Sequence, residues 1–84
     1  MIYVTAVEYD SGYCLRVTFS DHSERLVDLT NHLEGEVFEP LKRIELFKTA
    51  RLNSDLDTVV WDNGADMAPE FLYEVGVQIE NREE

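Results

Sequence analysis

The amino-acid sequence predicts a small α+β domain. We expect a three-stranded antiparallel β-meander, a second short hairpin and two short helices, arranged as a single layer of sheet covered on one face. The 84 residues are 44% hydrophobic and include nine aromatic residues, which suffices for one core. Apolar residues alternate strictly from Tyr13 to Phe19, and each of the two prolines, Pro40 and Pro69, precedes apolar residues at helical spacing. Residues 1–80 should form one domain, and residues 81–84 a disordered acidic tail.

The N-terminal half carries the signals of the meander. Residues 3–9 are rich in β-branched and aromatic side chains, and the strand after the Asp10–Gly12 turn places Leu15, Val17 and Phe19 on one face. A short polar turn, residues 20–23, leads to a third strand over residues 24–29. His22 lies in this turn at a position where glycine is often preferred. Histidine tolerates a positive φ there better than most residues do.

The second half changes from strand to helix periodicity. Leu41, Ile44 and Phe47 follow Pro40 at intervals of three and predict a short helix that covers the meander. Residues 49–52 and 58–61 predict the second hairpin, and Pro69 starts a helix that Gly76 can end. The segment 77–80 fits either an edge strand or a frayed end.

Composition narrows the classes of partner. A net charge of −11 argues against direct nucleic-acid binding, which begins with cations on phosphate, and against anionic membrane surfaces. No apolar run approaches the length of a membrane span, and the N-terminus lacks a signal-peptide pattern, so we expect a cytoplasmic protein. The single cysteine, Cys14, fits a reducing compartment and reads as an ordinary strand residue.

No pattern for catalysis or cofactor binding stands out. The sequence has no glycine-rich phosphate loop, no nucleophile elbow and no paired cysteine or histidine spacing typical of metal sites. His22 and His32 could form a metal site only with further ligands, and Asp62-x-Gly64-x-Asp66 resembles only part of a calcium loop. We therefore predict no catalytic residue, no cofactor and no metal, and keep a small metal-dependent or hydrolytic enzyme as the least favoured alternative.

The stretch from Thr58 to Tyr73 holds the remaining polar signals. Asp62 and Asn63 are expected to form a turn, and Asp66 to accept hydrogen bonds from the free N–H groups of the following helix. Trp61 fits a core anchor better than an exposed binding residue, because so small a domain needs its largest apolar side chain inside.

Residues 59–73, Val-Val-Trp-Asp-Asn-Gly-Ala-Asp-Met-Ala-Pro-Glu-Phe-Leu-Tyr, resemble the C-terminal signature of the bacterial domain of unknown function 2442 family. The Leu15-x-Val17-x-Phe19-x-Asp21, Val27-Asp28-Leu29 and Pro40-Leu41 pieces resemble its N-terminal half. His22 and Asp57 depart from the pattern, which often has glycine there. The resemblance implies a small α+β fold without established catalytic residues. It also implies occurrence beside a gene for the domain of unknown function 4160, an arrangement like that of toxin and antitoxin.

These observations together predict a non-enzymatic protein-interaction module, an antitoxin-like or regulatory companion of a small basic protein. The predicted contact edge comprises Trp61, Asp62, Asn63, Asp66 and Tyr73. A homodimeric structural module without a ligand is the alternative, since an unpaired edge on a small sheet invites self-pairing.

Overall fold

A computed structural model of the chain describes residues 1–79, so the predicted tail, residues 81–84, lies outside the described part. The elements follow in chain order as β1 (Val4–Ser11), β2 (Cys14–Phe19), β3 (Glu24–Asp28), a 3-10 turn (Glu39–Lys42), α1 (Ile44–Phe47), β4 (Arg51–Asn53), β5 (Thr58–Val60), β6 (Asp66–Met67), α2 (Pro69–Val75) and β7 (Val77–Gln78). This order confirms a small α+β fold with two short helices.

The strands form two antiparallel sheets rather than a single layer. The first has the order β1-β2-β3-β7, and the second β4-β5-β6. The predicted meander and hairpin are both present, and each gains one short strand. In the predicted segment 77–80, Val77–Gln78 forms β7, which pairs with β3 through Leu26 and Val77, and residue 80 lies outside the described residues. Strand β6 follows the Asp62–Ala65 turn. Of the two alternatives for segment 77–80, an edge strand or a frayed end, the structure shows the strand; β6 was not predicted, because a two-residue strand gives no periodicity.

Strand β2 sits at the centre of the first sheet and confirms the predicted alternation. Leu15, Val17 and Phe19 are buried, and the residues between them are half-buried. The two sheets meet where β1 lies against β4 and β5, with the Val4 N–H donating to the Asp57 carbonyl at 2.9 Å. The core therefore receives side chains from both sheets.

The helix expected after Pro40 is interrupted. Arg43 is extended, with φ −82° and ψ 119°, and it separates the 3-10 turn from α1. A continuous helix would need the Lys42 carbonyl to accept the Leu46 N–H, but that carbonyl accepts a hydrogen bond from the Tyr13 hydroxyl instead. The Leu46 N–H donates to the Arg43 carbonyl at 3.0 Å. A tertiary contact thus replaces a helical hydrogen bond.

The end of α2 lies very close to β3. Gly76 has φ −74° and ψ 148°, values open to any residue, so it does not end the helix through a left-handed cap. A Cβ atom at this position would lie 2.9 Å from the Cβ of Arg25 and 3.1 Å from a methyl group of Val27. Glycine is needed here for close packing.

Two turns adopt the backbone geometry that glycine prefers, without having glycine. His22 has φ 73° and Asp57 has φ 55°. The prediction that His22 occupies a glycine-like position in its turn is confirmed, and Asp57 accepts the same constraint at the end of the β4–β5 turn. Across residues 1–79 the helices are too short to span a bilayer.

Candidate partner-binding site

Trp61 lies in the core, as its size suggested. It is 1% exposed, its ring centroid lies 6.0 Å from that of Phe47, and its indole N–H donates to the Phe47 carbonyl at 3.0 Å. That carbonyl, at the end of α1, also accepts the Ala50 N–H at 3.2 Å. Trp61 thus supports the second sheet and presents almost no surface to a partner.

Asp62, Asn63 and Gly64 form the predicted turn. The Trp61 N–H donates to the Ala65 carbonyl at 2.9 Å, and the Gly64 N–H donates back to the Trp61 carbonyl at 3.0 Å. The Asn63 side chain accepts the Ala65 N–H and donates to the Val37 carbonyl at 3.0 Å. This second bond fixes the loop before the 3-10 turn against the β5–β6 turn.

Asp62 forms an ion pair and a hydrogen bond with other residues of the same chain. Its carboxylate pairs with Arg51 at 2.5 Å across the second sheet, and its N–H donates to the Thr49 hydroxyl at 3.0 Å. Both side chains of the ion pair are more than half exposed, so the pair contributes about 0–1 kcal/mol. Its main effect is to neutralise part of the charge that the sequence places at this turn.

Asp66 does not cap α2, contrary to the prediction. It belongs to β6 and pairs with Val60, while Ala68 precedes the helix and gives it no side-chain cap. The Asp66 side chain is exposed. Among the described residues, its carboxylate has no hydrogen bond or ion pair.

Asp66 borders a groove that sequence reasoning did not predict. The groove encloses about 370 Å³ between the loop after β3, β6 and the first turn of α2. Its lining comprises His32, Glu34, Phe38, Asp66, Met67, Ala68 and Phe71. The His32 ring packs edge-on to Phe71 with centroids 5.3 Å apart. The only sequence signal was the apolar Val37-Phe38 pair within a polar loop.

Tyr73 points to a different part of the surface. Successive helix residues are about 100° apart, so Tyr73 and Phe71 lie on roughly opposite sides of α2. The Tyr73 hydroxyl donates to the Asp21 carboxylate at 2.7 Å, and its ring packs edge-on to Phe19 at 5.0 Å. The predicted edge therefore divides into two sites: the Asp62–Asp66 turn with the groove, and Tyr73 beside the β2–β3 turn.

The carboxylate of Asp21 organises the β2–β3 turn. It accepts hydrogen bonds from the Ser23 hydroxyl at 2.6 Å and from the Ser23 N–H at 2.9 Å, in addition to that of Tyr73. The Ser23 bonds first, and then the Tyr73 bond, lower the pKa of Asp21 to about 2. Asp21 stays charged through the normal pH range and holds the His22 turn in place.

Arg25 is a residue whose role the sequence did not reveal. Its guanidinium lies 3.7 Å from the centroid of the Tyr73 ring and donates to the carbonyls of Tyr73 and Gly76 at 3.2 Å each. These carbonyls are at the C-terminal end of α2, where a cation is favourable. The charge of Arg25 is therefore used to attach the helix to the first sheet.

The described residues offer no group of three or more His, Cys, Asp or Glu side chains arranged to hold a metal ion. His22 is exposed in the β2–β3 turn, whereas His32 lies at the groove. Burial, together with the nearby Asp28 carboxylate, raises the pKa of Cys14, which disfavours a reactive thiolate at this strand position.

Comparison with known proteins agrees with the resemblance seen in the sequence. The model of one family, described as protein of unknown function (DUF2442), matches residues 4–77. No curated protein and no solved structure matches the chain. The match runs from the first residue of β1 to the first residue of β7 and includes both sheets, the groove and α2. The chain belongs to the DUF2442 family of proteins of unknown function.

Proposed function

We propose that this protein is a non-enzymatic interaction module that binds a small basic protein in the cytoplasm. The observation that carries the proposal is the large excess of unpaired negative charge. Of the acidic residues in the described part, only Asp10, Glu24, Glu39 and Asp62 form ion pairs with a base. A net charge of −11 on such a small surface favours fast encounter with a cationic partner.

Most of the described basic side chains already interact with other groups of the same chain, which supports a cationic partner. Arg16, Lys42 and Arg51 each pair with a carboxylate, and Arg25 contacts the end of α2. Little positive charge is left to offset the acidic surface. The arrangement beside a second small gene, implied by the family resemblance, supports an antitoxin-like or regulatory companion role for the same surface.

Asp66 is the sharpest probe of the proposed contact. It is exposed and its carboxylate forms no hydrogen bond or ion pair with another described residue, so Asp66→Asn removes charge without removing a structural bond. Tyr73 is a poorer probe, because it also holds Asp21 and Arg25 in place. Asp62 and Asn63 likewise serve the turn itself.

Co-expression with the product of the neighbouring gene, followed by co-purification, tests the proposal. We expect a complex that survives purification at low salt, weakens with increasing ionic strength, and weakens further in Asp66→Asn. Glu45→Gln is the matched control, since Glu45 is exposed on α1 and is not one of the residues that line the groove. Absence of association at micromolar concentrations would refute the proposed partner class.

A second candidate is a homodimer formed through a sheet edge. It is favoured by Val77, which is 71% exposed on the edge strand β7. Sedimentation over a wide concentration range separates the candidates: a dimer with a concentration-dependent mass supports self-pairing, and a constant monomer mass excludes it.

A further inference from the structure

We infer that the groove between the loop after β3, β6 and α2 binds a protein segment that inserts a large apolar side chain flanked by lysine or arginine. This inference rests on the proposed function and specifies the partner's binding motif. The groove, lined by the seven residues named above, is called the β6–α2 groove below.

The floor of the β6–α2 groove is apolar. Phe38 and Phe71 are half-buried, and Met67 is 5% exposed. A volume of about 370 Å³ lies at the lower end of the range of ligand pockets, about 300–1,000 Å³, and suits a short anchor better than a large cofactor. Aromatic anchors that fill well-packed, desolvated pockets carry much of the energy at protein interfaces.

The rim of the groove determines the charge of the occupant. Glu34 and Asp66 are exposed carboxylates on opposite elements, and neither forms an ion pair in the described part of the chain. No lysine or arginine is among the lining residues. Cations on both sides of an apolar anchor would complement this rim, whereas the phosphates of a nucleic acid would be repelled.

The loop that forms one wall is held in place before any partner arrives. Leu33 is 1% exposed in the core, and the Asn63 side chain donates to the Val37 carbonyl at 3.0 Å. A preformed groove loses less conformational entropy on binding than a mobile loop would. The Asn63 amide therefore acts as a positioning group, and the contact residues are those of the rim and floor.

Titration of ¹⁵N-labelled protein with a defined probe tests the inference. The probe is the peptide Gly-Arg-Leu-Phe-Arg-Gly; the controls are Gly-Glu-Leu-Phe-Glu-Gly and Gly-Arg-Gly-Gly-Arg-Gly. We expect saturable shifts at the backbone amides of residues 34, 66, 68 and 71, and binding at least tenfold weaker for either control. Shifts that do not saturate, or that follow the acidic peptide, would overturn the inference. Shifts at these amides that depend on protein concentration alone would overturn it in favour of a second copy of the chain.

Matched variants distinguish the loss of charge at the groove rim from a general loss of negative charge on the protein. The double variant E34Q/D66N removes both rim charges and should weaken peptide binding about 2- to 30-fold, the range for two exposed ion pairs. The control E8Q/D55N removes the same total charge from exposed residues outside the groove and should change binding less than twofold. Equal losses in the two variants would overturn the groove assignment. Ala68→Lys, which places a cation in the groove, should reduce binding at least tenfold.

Failure of this inference is distinguishable from failure of the proposed function. If the basic partner binds wild type and E34Q/D66N equally well, the groove is not its docking site, and the interaction role stands. If the peptide saturates the groove but no partner associates, the groove assignment stands and the proposed function fails.

Discussion

Replacing Gly76 with alanine tests the close contact between α2 and the first sheet. Gly76 has ordinary dihedral angles, φ −74° and ψ 148°. On conformational grounds alone, alanine would restrict the unfolded chain and stabilise the protein by about 0.4–1 kcal/mol. The structure predicts that alanine destabilises the protein instead, because the added methyl group has no space.

The magnitude follows from three short distances. The new Cβ would lie 2.9 Å from the Cβ of Arg25, 3.0 Å from the carbonyl oxygen of Leu72 and 3.1 Å from a methyl group of Val27. None of these atoms is the free end of a flexible side chain, so backbone must move. Overpacking of this kind costs about 1–3 kcal/mol, which exceeds the entropic gain. We expect a net loss of about 1–2 kcal/mol in the free energy of unfolding.

Urea denaturation followed by tryptophan fluorescence measures this loss directly. Trp61 is the only tryptophan and is 1% exposed, so its emission reports the unfolding of the core. A domain of 84 residues has a total stability of about 4–13 kcal/mol, and a loss of 1–2 kcal/mol lowers the melting temperature by about 4–16 °C.

A double-mutant cycle tests whether the contact with Val27 causes the loss of stability. Val27→Ala removes one of the contacting methyl groups, so its effect and that of Gly76→Ala should couple by at least 0.5 kcal/mol. Gly12→Ala is the matched control: it has positive φ but nothing within 4 Å of the new Cβ, and its effect should add to that of Val27→Ala. A Gly76→Ala protein as stable as wild type would refute the packing argument.

Trp61→Phe removes the indole hydrogen bond to the Phe47 carbonyl, which keeps the Ala50 N–H at 3.2 Å, and leaves space where the larger ring was buried. We expect urea melts by circular dichroism to show a loss of about 1–3 kcal/mol, and an unchanged midpoint would contradict this. His22→Gly relieves positive φ and should stabilise by up to about 1 kcal/mol in the same assay, whereas His22→Ala should not. The pKa of Asp21 is lowered from its ordinary value of 3.8 to about 2 in the folded state, so the charged carboxylate stabilises the fold at pH values above 3.8. This contribution should disappear as the pH falls from 3.8 through about 2. Carboxyl NMR titration should show a midpoint near 2 that rises in Ser23→Ala, and a midpoint unchanged by that variant would disprove the hydrogen-bond explanation.

Local patterns were enough to predict the elements that bury one face of a regular repeat. The alternation around Leu15 and Val17 predicted β2, and the spacing of Leu72 and Val75 after Pro69 predicted α2. The burial of Trp61 also followed from composition, because a domain of this size must place its largest apolar side chain inside.

The errors occurred where distant residues decide the local structure. The helix after Pro40 is interrupted because Tyr13, which is 29 residues from Lys42 in sequence, takes the Lys42 carbonyl. Asp66 was expected at a helix start but became a strand residue through pairing with Val60. The residues next to Lys42 and Asp66 in the sequence do not indicate either contact.

The candidate site shows the same division. The acidic surface, the Asp62–Gly64 turn and membership of a small α+β family could be predicted from the residues alone, because charge, turn chemistry and signature order are local properties. Packing of the two sheets and α2 was needed to place Tyr73 away from Asp66, to bond Arg25 and Asp62 to other groups of the same chain, and to set Glu34 opposite Asp66 across an apolar groove. Grooves and ion pairs arise between segments far apart in sequence, so their positions depend on how the two sheets and α2 pack together.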